Sequence, residues 1–110
     1  SLHASAPSFE KTDWRSIYHL YETLYQLQPN PIVAMNKAIA SAYAISKEQA
    51  LDELQQVTGL EHHHLYHVAI GEIYYELAKK EPAKRCFEKA YSLTDSAAVK
   101  QLLMEKMALC

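Results

Sequence analysis

The stretch HVAIGEIYYELAKKEPAKRCFEKA, residues 67–90, decides the fold. Its apolar residues recur at helical spacing on both sides of a polar break, which favours two consecutive helices. Small residues, Gly71 in the first helix and Ala83 in the second, allow the two backbones to approach closely, while Tyr74 and Phe87 fill the space beside them. The stretch therefore predicts an antiparallel pair of tightly packed helices.

The same pattern recurs along the chain at a constant interval, the one that separates Ala50 from Ala83, which we call the repeat step. Four series share this step: Ile17, Ala50 and Ala83; Tyr21, Leu54 and Phe87; Leu24, Val57 and Ala90; and Pro29, His62 and Asp95. Ala38 leads to Gly71 in the same way, so we expect Ala38 and Ala50 at the crossing of an earlier pair. A step shared by several series predicts repeated helix pairs.

The whole chain is predicted to be helical, because strand-type alternation is missing from it. Six helices are expected, at residues 13–28, 31–45, 46–59, 62–80, 82–93 and from 95 or 96 to the C-terminus. The expected N-caps of the first three helices are polar residues: Thr12 or Asp13, then Asn30, then Ser46. Ser46 and Gln49 predict a reciprocal capping box, and Gly59 is expected to end the third helix.

The length of 110 residues allows one domain, and a hydrophobic content of 49% with 22% charged residues favours a folded chain. We expect a single domain over 1–110. Because the chain lacks an initiator methionine and starts within a pattern, we interpret it as the C-terminal fragment of a longer protein. Two cysteines and no signal peptide are typical of a reduced, cytoplasmic protein.

The charge balance bears on the class of partner. A formal net charge of -2 argues against a domain that binds nucleic acid by itself, since phosphate binding needs a basic face. The chain has only 2 glycines, so it contains no glycine-rich phosphate-binding loop. No stretch reaches the roughly 20 apolar residues that a membrane span requires. The composition thus argues against nucleic acid and membrane as direct partners of this chain.

The spacing in residues 67–90 resembles the tetratricopeptide repeat (TPR), in which tryptophan, leucine, glycine and tyrosine precede an alanine and an aromatic residue. His67 stands at the tryptophan position and Asp95 at the closing proline. The resemblance implies a right-handed superhelical stack of helix pairs. The first helix is then the second member of a repeat, and the sixth is an unpaired first member, with Met104 and Met107 at its small and tyrosine positions.

In such a stack the first helices of each pair line an inner wall, which we expect to face a protein partner. The candidate interaction residues are mostly apolar or aromatic: Ile32, Met35, Asn36, Ile39, Tyr43, Leu65, Val68, Glu72 and Tyr75. No lysine or arginine is among them, so the expected occupant is an apolar helix or a neighbouring domain rather than a peptide carboxylate. Alternatively, further N-terminal helices cover this wall.

The residues that could bind a metal or catalyse a reaction have simpler structural interpretations. His63 and His67 lie on one side of a helix, as zinc ligands can, but no third ligand follows at a recognisable spacing. Glu72 and Glu76 lie one turn apart, which is more typical of a solvated helix face. We therefore expect no metal, no cofactor and no enzymatic activity.

Three stretches carry a family resemblance: TDW at 12–14 followed by Ile17, Tyr18 and Tyr21, PNPIVAMNKAIA at 29–40, and HLYHVA at 64–69. They resemble the C-terminal region of bacterial extracytoplasmic-function sigma factors that carry a TPR-like extension. In that family the promoter-reading and polymerase-binding domains precede this region.

The resemblance implies a part in transcription initiation through protein contacts. The implied partners are the N-terminal sigma domains or core RNA polymerase, with DNA bound only through the missing N-terminal part and no membrane involved. The alternative is a free-standing TPR-type scaffold that binds an apolar helix or peptide.

Overall fold

Six α-helices follow one another in the computed structural model, which describes residues 13–110. They are α1 (Trp14–Leu27), α2 (Pro31–Ala44), α3 (Lys47–Gln56), α4 (His64–Glu76), α5 (Lys80–Leu93) and α6 (Ala97–Ala108). No strand occurs within residues 13–110, so the all-α prediction is confirmed for this range. The alternative cap Thr12 and the residues before it lie outside the described range.

The helices repeat with the period that the sequence predicts. α1, α3 and α5 begin at residues 14, 47 and 80, and α2, α4 and α6 begin at 31, 64 and 97, so each start recurs after one repeat step. Side chains that accept a hydrogen bond from the first turn cap five of the helices: Asp13, Asn30, Ser46, His63 and Ser96. We call α2–α3 the first pair and α4–α5 the second pair.

The third helix is shorter than predicted. α3 ends at Gln56 because the carbonyl oxygen of Leu54 accepts hydrogen bonds from the Tyr66 hydroxyl (2.7 Å) and the Val57 N–H (3.1 Å). Gly59 has the expected positive φ, +93°, but it lies in the following loop. The next residue, Leu60, folds back and is buried. The loop from Val57 to His63 thus replaces the predicted last turn of α3 and first turn of α4.

Only half of the predicted capping box at α3 forms. The Ser46 hydroxyl accepts from the Gln49 N–H at 3.1 Å, as expected. The Gln49 side chain instead donates to a carboxylate oxygen of Glu53 at 2.8 Å, one turn further along the helix. The Ser46 N–H, which would donate to the Gln49 side chain in a capping box, already donates to the carbonyl of Ser41 at 3.0 Å.

The fourth helix ends four residues earlier than predicted, in a left-handed turn built on an alanine. The N–H of Lys79 donates to the carbonyl of Tyr74 (2.8 Å), and the N–H of Ala78 donates to that of Tyr75 (3.0 Å). Together these two bonds form a Schellman motif, in which Ala78 takes φ 63° where glycine is the usual residue.

Small residues lie where the helices of each pair cross. Ala38 and Ala50 in the first pair and Ala83 in the second are fully buried. A Cβ atom added to Gly71 would lie 2.7 Å from Cε1 of Phe87, closer than such atoms approach in proteins. The predicted close approach at Gly71 is therefore confirmed.

Two hydrophobic cores result. One joins the first pair to α4 and includes Met35, Leu54 and Ile70, and the other joins α5 to α6 through Phe87 and Leu103. None of the helices in the described part of the chain is both long and apolar enough to cross a bilayer.

Helix α1 is attached to the first pair by a polar cluster. The Tyr18 hydroxyl donates to Glu53 at 2.8 Å, and the ammonium of Lys37 lies 3.4 Å from the other oxygen of that carboxylate. Burial, followed by the hydrogen bond to Glu53 and the charge of that carboxylate, raises the pKa of Tyr18 to about 12. The phenol is thus held neutral as a donor.

Candidate interaction groove

Two adjoining cavities lie along α2, α4 and α6 and form what we call the inner groove. The first, about 90 Å³, has an apolar floor and a polar rim and is lined by Ile39, Ala42, Tyr43, Ala69, Glu72, Ile73 and Glu76. The second, about 210 Å³, is lined by Glu72, Tyr75, Glu76, Phe87, Lys106 and Leu109. Glu72 and Glu76 line both cavities, so the two lie side by side across α4.

The groove contains four of the nine predicted interaction residues, namely Ile39, Tyr43, Glu72 and Tyr75. Ile32 and Leu65 are 37% and 49% exposed near the starts of α2 and α4. They lie seven residues before Ile39 and Glu72, which places each pair on one helix face. The two exposed apolar side chains therefore extend the same surface beyond the cavities.

The other predicted residues contribute less. Asn36 is half-buried. Met35 is only 6% exposed and packs in the core of the first pair, in the same stripe as Ala38 and Ala42. Val68 packs against the core between α5 and α6. Met35 is thus an internal residue rather than part of the predicted wall, whereas Val68 is half-buried.

The repeat step identifies residues that the wall prediction omitted. Glu76 and Leu109 follow Tyr43 at one and two repeat steps, and all three line the groove. Both Glu76 and Leu109 could therefore have been predicted as groove residues from the repeat step. Lys106 also follows a groove residue, Ile73, by one repeat step, but Ile73 is buried and apolar and therefore gave no sign of a charged side chain at this position.

Lysines balance the two carboxylates of the groove. The ammonium of Lys106 lies 2.8 Å from Glu72, and that of Lys47 lies 3.8 Å from Glu76. The glutamate side chains remain 51% and 46% exposed, and pairs as exposed as these contribute about 0–1 kcal/mol. Since each pair is weak, a cation on a partner can replace a lysine at little cost.

Tyr43 links the groove to α1. Its ring stacks on that of Trp14 with the centroids 4.6 Å apart. Burial, followed by the negative charges of Glu76 and Glu72, raises the pKa of the Tyr43 phenol. The ring therefore presents a neutral, rigid amphipathic surface, which suits an anchor at a protein interface.

His63 and His67 act in helix capping and loop closure. His63 Nδ1 accepts from the Leu65 N–H at 3.3 Å, and His67 Nε2 lies 2.8 Å from the carbonyl oxygen of Glu61. Within residues 13–110, no group of three or more His, Cys, Asp or Glu side chains is arranged to hold a metal ion. The lining of the inner groove offers apolar contacts from residues such as Ile39 and Ile73 and charged groups from Glu72 and Glu76.

A larger cleft, about 340 Å³, lies away from the inner groove, between α1, α2 and the end of α3. Its lining includes Tyr25, Ala34, Lys37 and Glu53. The two charged groups are paired with each other, and Glu53 also accepts from Tyr18 and Gln49. These polar groups already serve to attach α1, so the inner groove is the stronger candidate for binding.

Comparison with known proteins gives one informative match. The chain is 33% identical over 99 residues to an uncharacterized protein of Rhizobium meliloti (strain 1021), and the alignment covers 89% of this chain. The chain spans 23% of the length of that relative. No protein-family model matches the chain. No solved structure matches it either.

Proposed function

We propose that this chain is a TPR-like protein-binding domain and that it serves a bacterial sigma factor in transcription initiation. In this proposal the domain does not bind DNA or catalyse a reaction. It holds a helix of its partner in the inner groove, and the partner is either the N-terminal sigma domains or core RNA polymerase.

The observation that carries the proposal is the position of the groove in the repeat. Its walls come from α2, α4 and α6, whose starts are separated by one repeat step each. A surface built from the same face of successive repeat helices is the usual binding surface of helical repeat proteins. A right-handed superhelix, which the repeat pattern favours, would make that surface concave.

The chemistry of the groove suits a helix with apolar and basic side chains. The floor residues Ile39, Ala69 and Ile73 accept apolar groups, and Tyr43 and Tyr75 flank them. Glu72 and Glu76 supply acceptors for a lysine or arginine of the partner. An amphipathic helix laid into an apolar groove is a common mode of peptide recognition.

The assignment to a sigma factor is supported by the resemblance of the stretches at 12–21, 29–40 and 64–69 to the C-terminal extension of that family. The net charge of -2 agrees with a parent protein in which other domains contact DNA. The much longer relative agrees with a parent protein that contains such domains.

Binding measurements with purified components test the proposal. The chain is titrated with the N-terminal sigma domains of its parent protein and, separately, with core RNA polymerase. We expect one of the two to bind, and Tyr43→Ala and Tyr75→Ala each to weaken that binding about 10-fold or more, as truncation of a central aromatic anchor does.

Tyr25→Ala is the matched control, because Tyr25 is 39% exposed, similar to Tyr43 at 41% and Tyr75 at 37%, but lies outside the inner groove. Equal binding by the wild type and the Tyr43 and Tyr75 variants removes the groove from the mechanism. If neither sigma domains nor polymerase bind while unrelated amphipathic helices do, the chain is a free-standing scaffold instead.

A further inference from the structure

One cation of the chain itself lies in the inner groove between an aromatic ring and a carboxylate. The ammonium of Lys47 is 6.0 Å from the centre of the Tyr43 ring and 3.8 Å from Oε1 of Glu76. Tyr43 and Glu76 both line the first cavity of the groove. We call the Tyr43 ring and the Glu76 carboxylate together the cation subsite.

Lys47 occupies the cation subsite loosely. A distance of 6.0 Å is the outer limit for attraction between an ammonium and a ring, and 3.8 Å is too long for a hydrogen bond. The other carboxylate of the groove differs, because Glu72 Oε1 accepts a hydrogen bond from the ammonium of Lys106 at 2.8 Å. Glu76 is therefore the carboxylate with more capacity to accept from a partner.

The repeat itself does not require this arrangement. One repeat step later, the positions of Tyr43, Lys47 and Glu76 hold Glu76, Lys80 and Leu109. Leucine cannot pair with a cation, yet α5 and α6 still form a common core. The cation subsite is thus a particular feature of α2, α3 and α4 rather than a consequence of how the repeated helices pack.

We propose that the cation subsite binds an arginine side chain of a helix held in the inner groove, and that this arginine displaces Lys47. The proposal rests on the proposed function, in which the groove holds a helix of the partner. It adds which residue type the partner contributes and which groups of this chain select it.

The geometry favours arginine over lysine. A partner lysine would replace one ammonium by another and would gain no new type of contact. A guanidinium is planar, so it can donate two parallel hydrogen bonds to one carboxylate and can stack on an aromatic ring. The Glu76 side chain is 46% exposed and Tyr43 is 41% exposed, so both groups are accessible to it.

The cavity beside the cation subsite predicts a second residue of the partner. Its volume is about 90 Å³, and its apolar lining is Ile39, Ala42, Ala69 and Ile73. A cavity of this size and lining suits one aliphatic side chain. Because residues three or four apart lie on one face of a helix, the expected partner motif is an aliphatic residue and an arginine one turn apart.

Peptides with a fluorescent label test the proposal through the change of anisotropy when they bind the 110-residue chain. The probe is an alanine-rich helix of roughly 15 residues with a leucine and an arginine one turn apart. Two matched peptides replace the arginine by lysine or by citrulline, which has nearly the same shape as arginine but no charge. We expect the arginine peptide to bind about 10-fold more tightly than either.

Variants of the chain identify the groups that bind the arginine. Glu76→Gln should weaken binding of the arginine peptide about 10-fold, and Glu72→Gln should weaken it less, because Lys106 already donates to Glu72. Lys47→Met keeps an apolar side chain of similar length but removes the competing charge. It should therefore tighten binding about 3-fold.

The controls Glu88→Gln and Lys84→Met remove the same charges at exposed positions of α5 outside the groove, and should leave the affinity within about 2-fold. The proposal is overturned if the arginine peptide does not bind or if all three peptides bind equally. It is also overturned if Glu72→Gln has the larger effect of the two glutamine variants, or if Lys47→Met does not tighten binding.

Binding of the sigma domains or polymerase separates this proposal from the proposed function. If Tyr43→Ala and Tyr75→Ala weaken that binding but Glu76→Gln and Lys47→Met leave it unchanged, the groove is the binding surface and the cation subsite is wrong. If neither macromolecule binds but the arginine peptide responds to the Glu76 and Lys47 variants as expected, the cation subsite stands and the proposed function is wrong.

Discussion

The first and second pairs fill the same crossing with different side chains. At equivalent repeat positions the first pair has Ala38 and Leu54, and the second has Gly71 and Phe87. The ring of Phe87 approaches so closely that a methyl group on residue 71 would lie 2.7 Å from it. A smaller residue on one helix thus accompanies a larger one on the other, so the repeat preserves the summed volume at the crossing rather than the residue types.

The pairs also differ in polarity. The first pair holds Lys37 and Glu53 where the second has Ile70 and Cys86. Glu53 accepts hydrogen bonds from Tyr18 and Gln49 at 2.8 Å each. In the second pair, Ile70 is buried and burial raises the pKa of the Cys86 thiol, so that site is apolar. The first pair can therefore fix a neighbouring helix by directional bonds, and the second relies on shape.

The largest effect is expected at Phe87. Phe87→Ala removes a ring that is only 2% exposed and should lower the free energy of unfolding by about 3–5 kcal/mol. Urea unfolding at equilibrium measures the change. The control Leu20→Ala, at a position 70% exposed, should stay within about 0.5 kcal/mol of the wild type. Equal losses for the two variants would show that the ring does not fill the second crossing.

A methyl group added at residue 71 tests directly whether the summed side-chain volume at the second crossing is limited. Gly71→Ala should destabilise the protein by about 1–3 kcal/mol through overlap with Phe87, even though alanine favours a helix over glycine by about 1 kcal/mol. The midpoint of urea unfolding gives the change. A stabilised variant would indicate that the ring moves aside freely.

A second substitution at the same crossing should compensate for the first. Gly71→Ala combined with Phe87→Leu recreates the alanine and leucine of the first pair. We expect the double variant to be more stable than the sum of the two single effects by about 0.5–3 kcal/mol, as for residues in contact. Additive effects would mean that the two crossings do not share the same limit on summed side-chain volume.

Alkaline pH is expected to weaken the polar attachment of α1 to the first pair. The folded pKa of Tyr18, about 12, exceeds the ordinary value of 10.0, so its contribution is complete below about pH 10 and is lost as the pH rises toward 12. Tyr18→Phe should reduce the loss of stability in this window. Urea unfolding at several pH values measures it.

Part of the alkaline loss should remain in Tyr18→Phe, because burial also raises the pKa of Tyr43 and Tyr66. An unchanged pH profile would contradict the assigned role of Tyr18. Near neutral pH the variant should be less stable by about 0.5–1.5 kcal/mol, the usual contribution of one hydrogen bond.

The smallest expected effect is a gain at the turn between α4 and α5. Ala78 has φ 63°, a conformation that costs a residue with a Cβ atom about 1–2 kcal/mol and glycine much less. After the greater flexibility of glycine in the unfolded chain is subtracted, Ala78→Gly should stabilise the protein by up to about 1 kcal/mol. Thermal unfolding is sensitive enough to detect this change.

Ala98→Gly is the control for Ala78→Gly, since Ala98 is exposed within α6 and has ordinary helical geometry. It should destabilise by about 0.5–1 kcal/mol. The same sign for both substitutions would contradict the left-handed turn and, with it, the difference between the links of the two pairs.

The helices were predictable because their start signals are local. Asp13, Asn30 and Ser46 act as N-caps as the sequence predicts, and the repeat step reappears in the helix starts. The ends were harder to predict. The end of α3 depends on the Tyr66 hydroxyl, a contact across 12 residues, and the end of α4 depends on an alanine in a conformation that glycine usually signals.

The sequence predicted which helix face lines the groove, but not every residue on that face. Helical periodicity predicted Ile39, Tyr43 and Tyr75, which line the groove, but an uncertainty of one position also assigned Met35 to the wall although it packs in a core. The lysines beside the carboxylates were not predictable, because Lys47 and Lys106 come from distant parts of the sequence and meet Glu76 and Glu72 only in the folded chain.

The polar cluster at Glu53 has a consequence for how an array of similar helices assembles without mispairing. During folding α1 encounters two alike docking sites, one on the first pair and one on the second. Only the first offers a carboxylate to the Tyr18 hydroxyl, whereas Cys86 occupies the equivalent place on the second. A swapped arrangement would bury the phenol without an acceptor, at a cost of about 1–3 kcal/mol. One hydrogen bond thus distinguishes two docking sites that are otherwise alike.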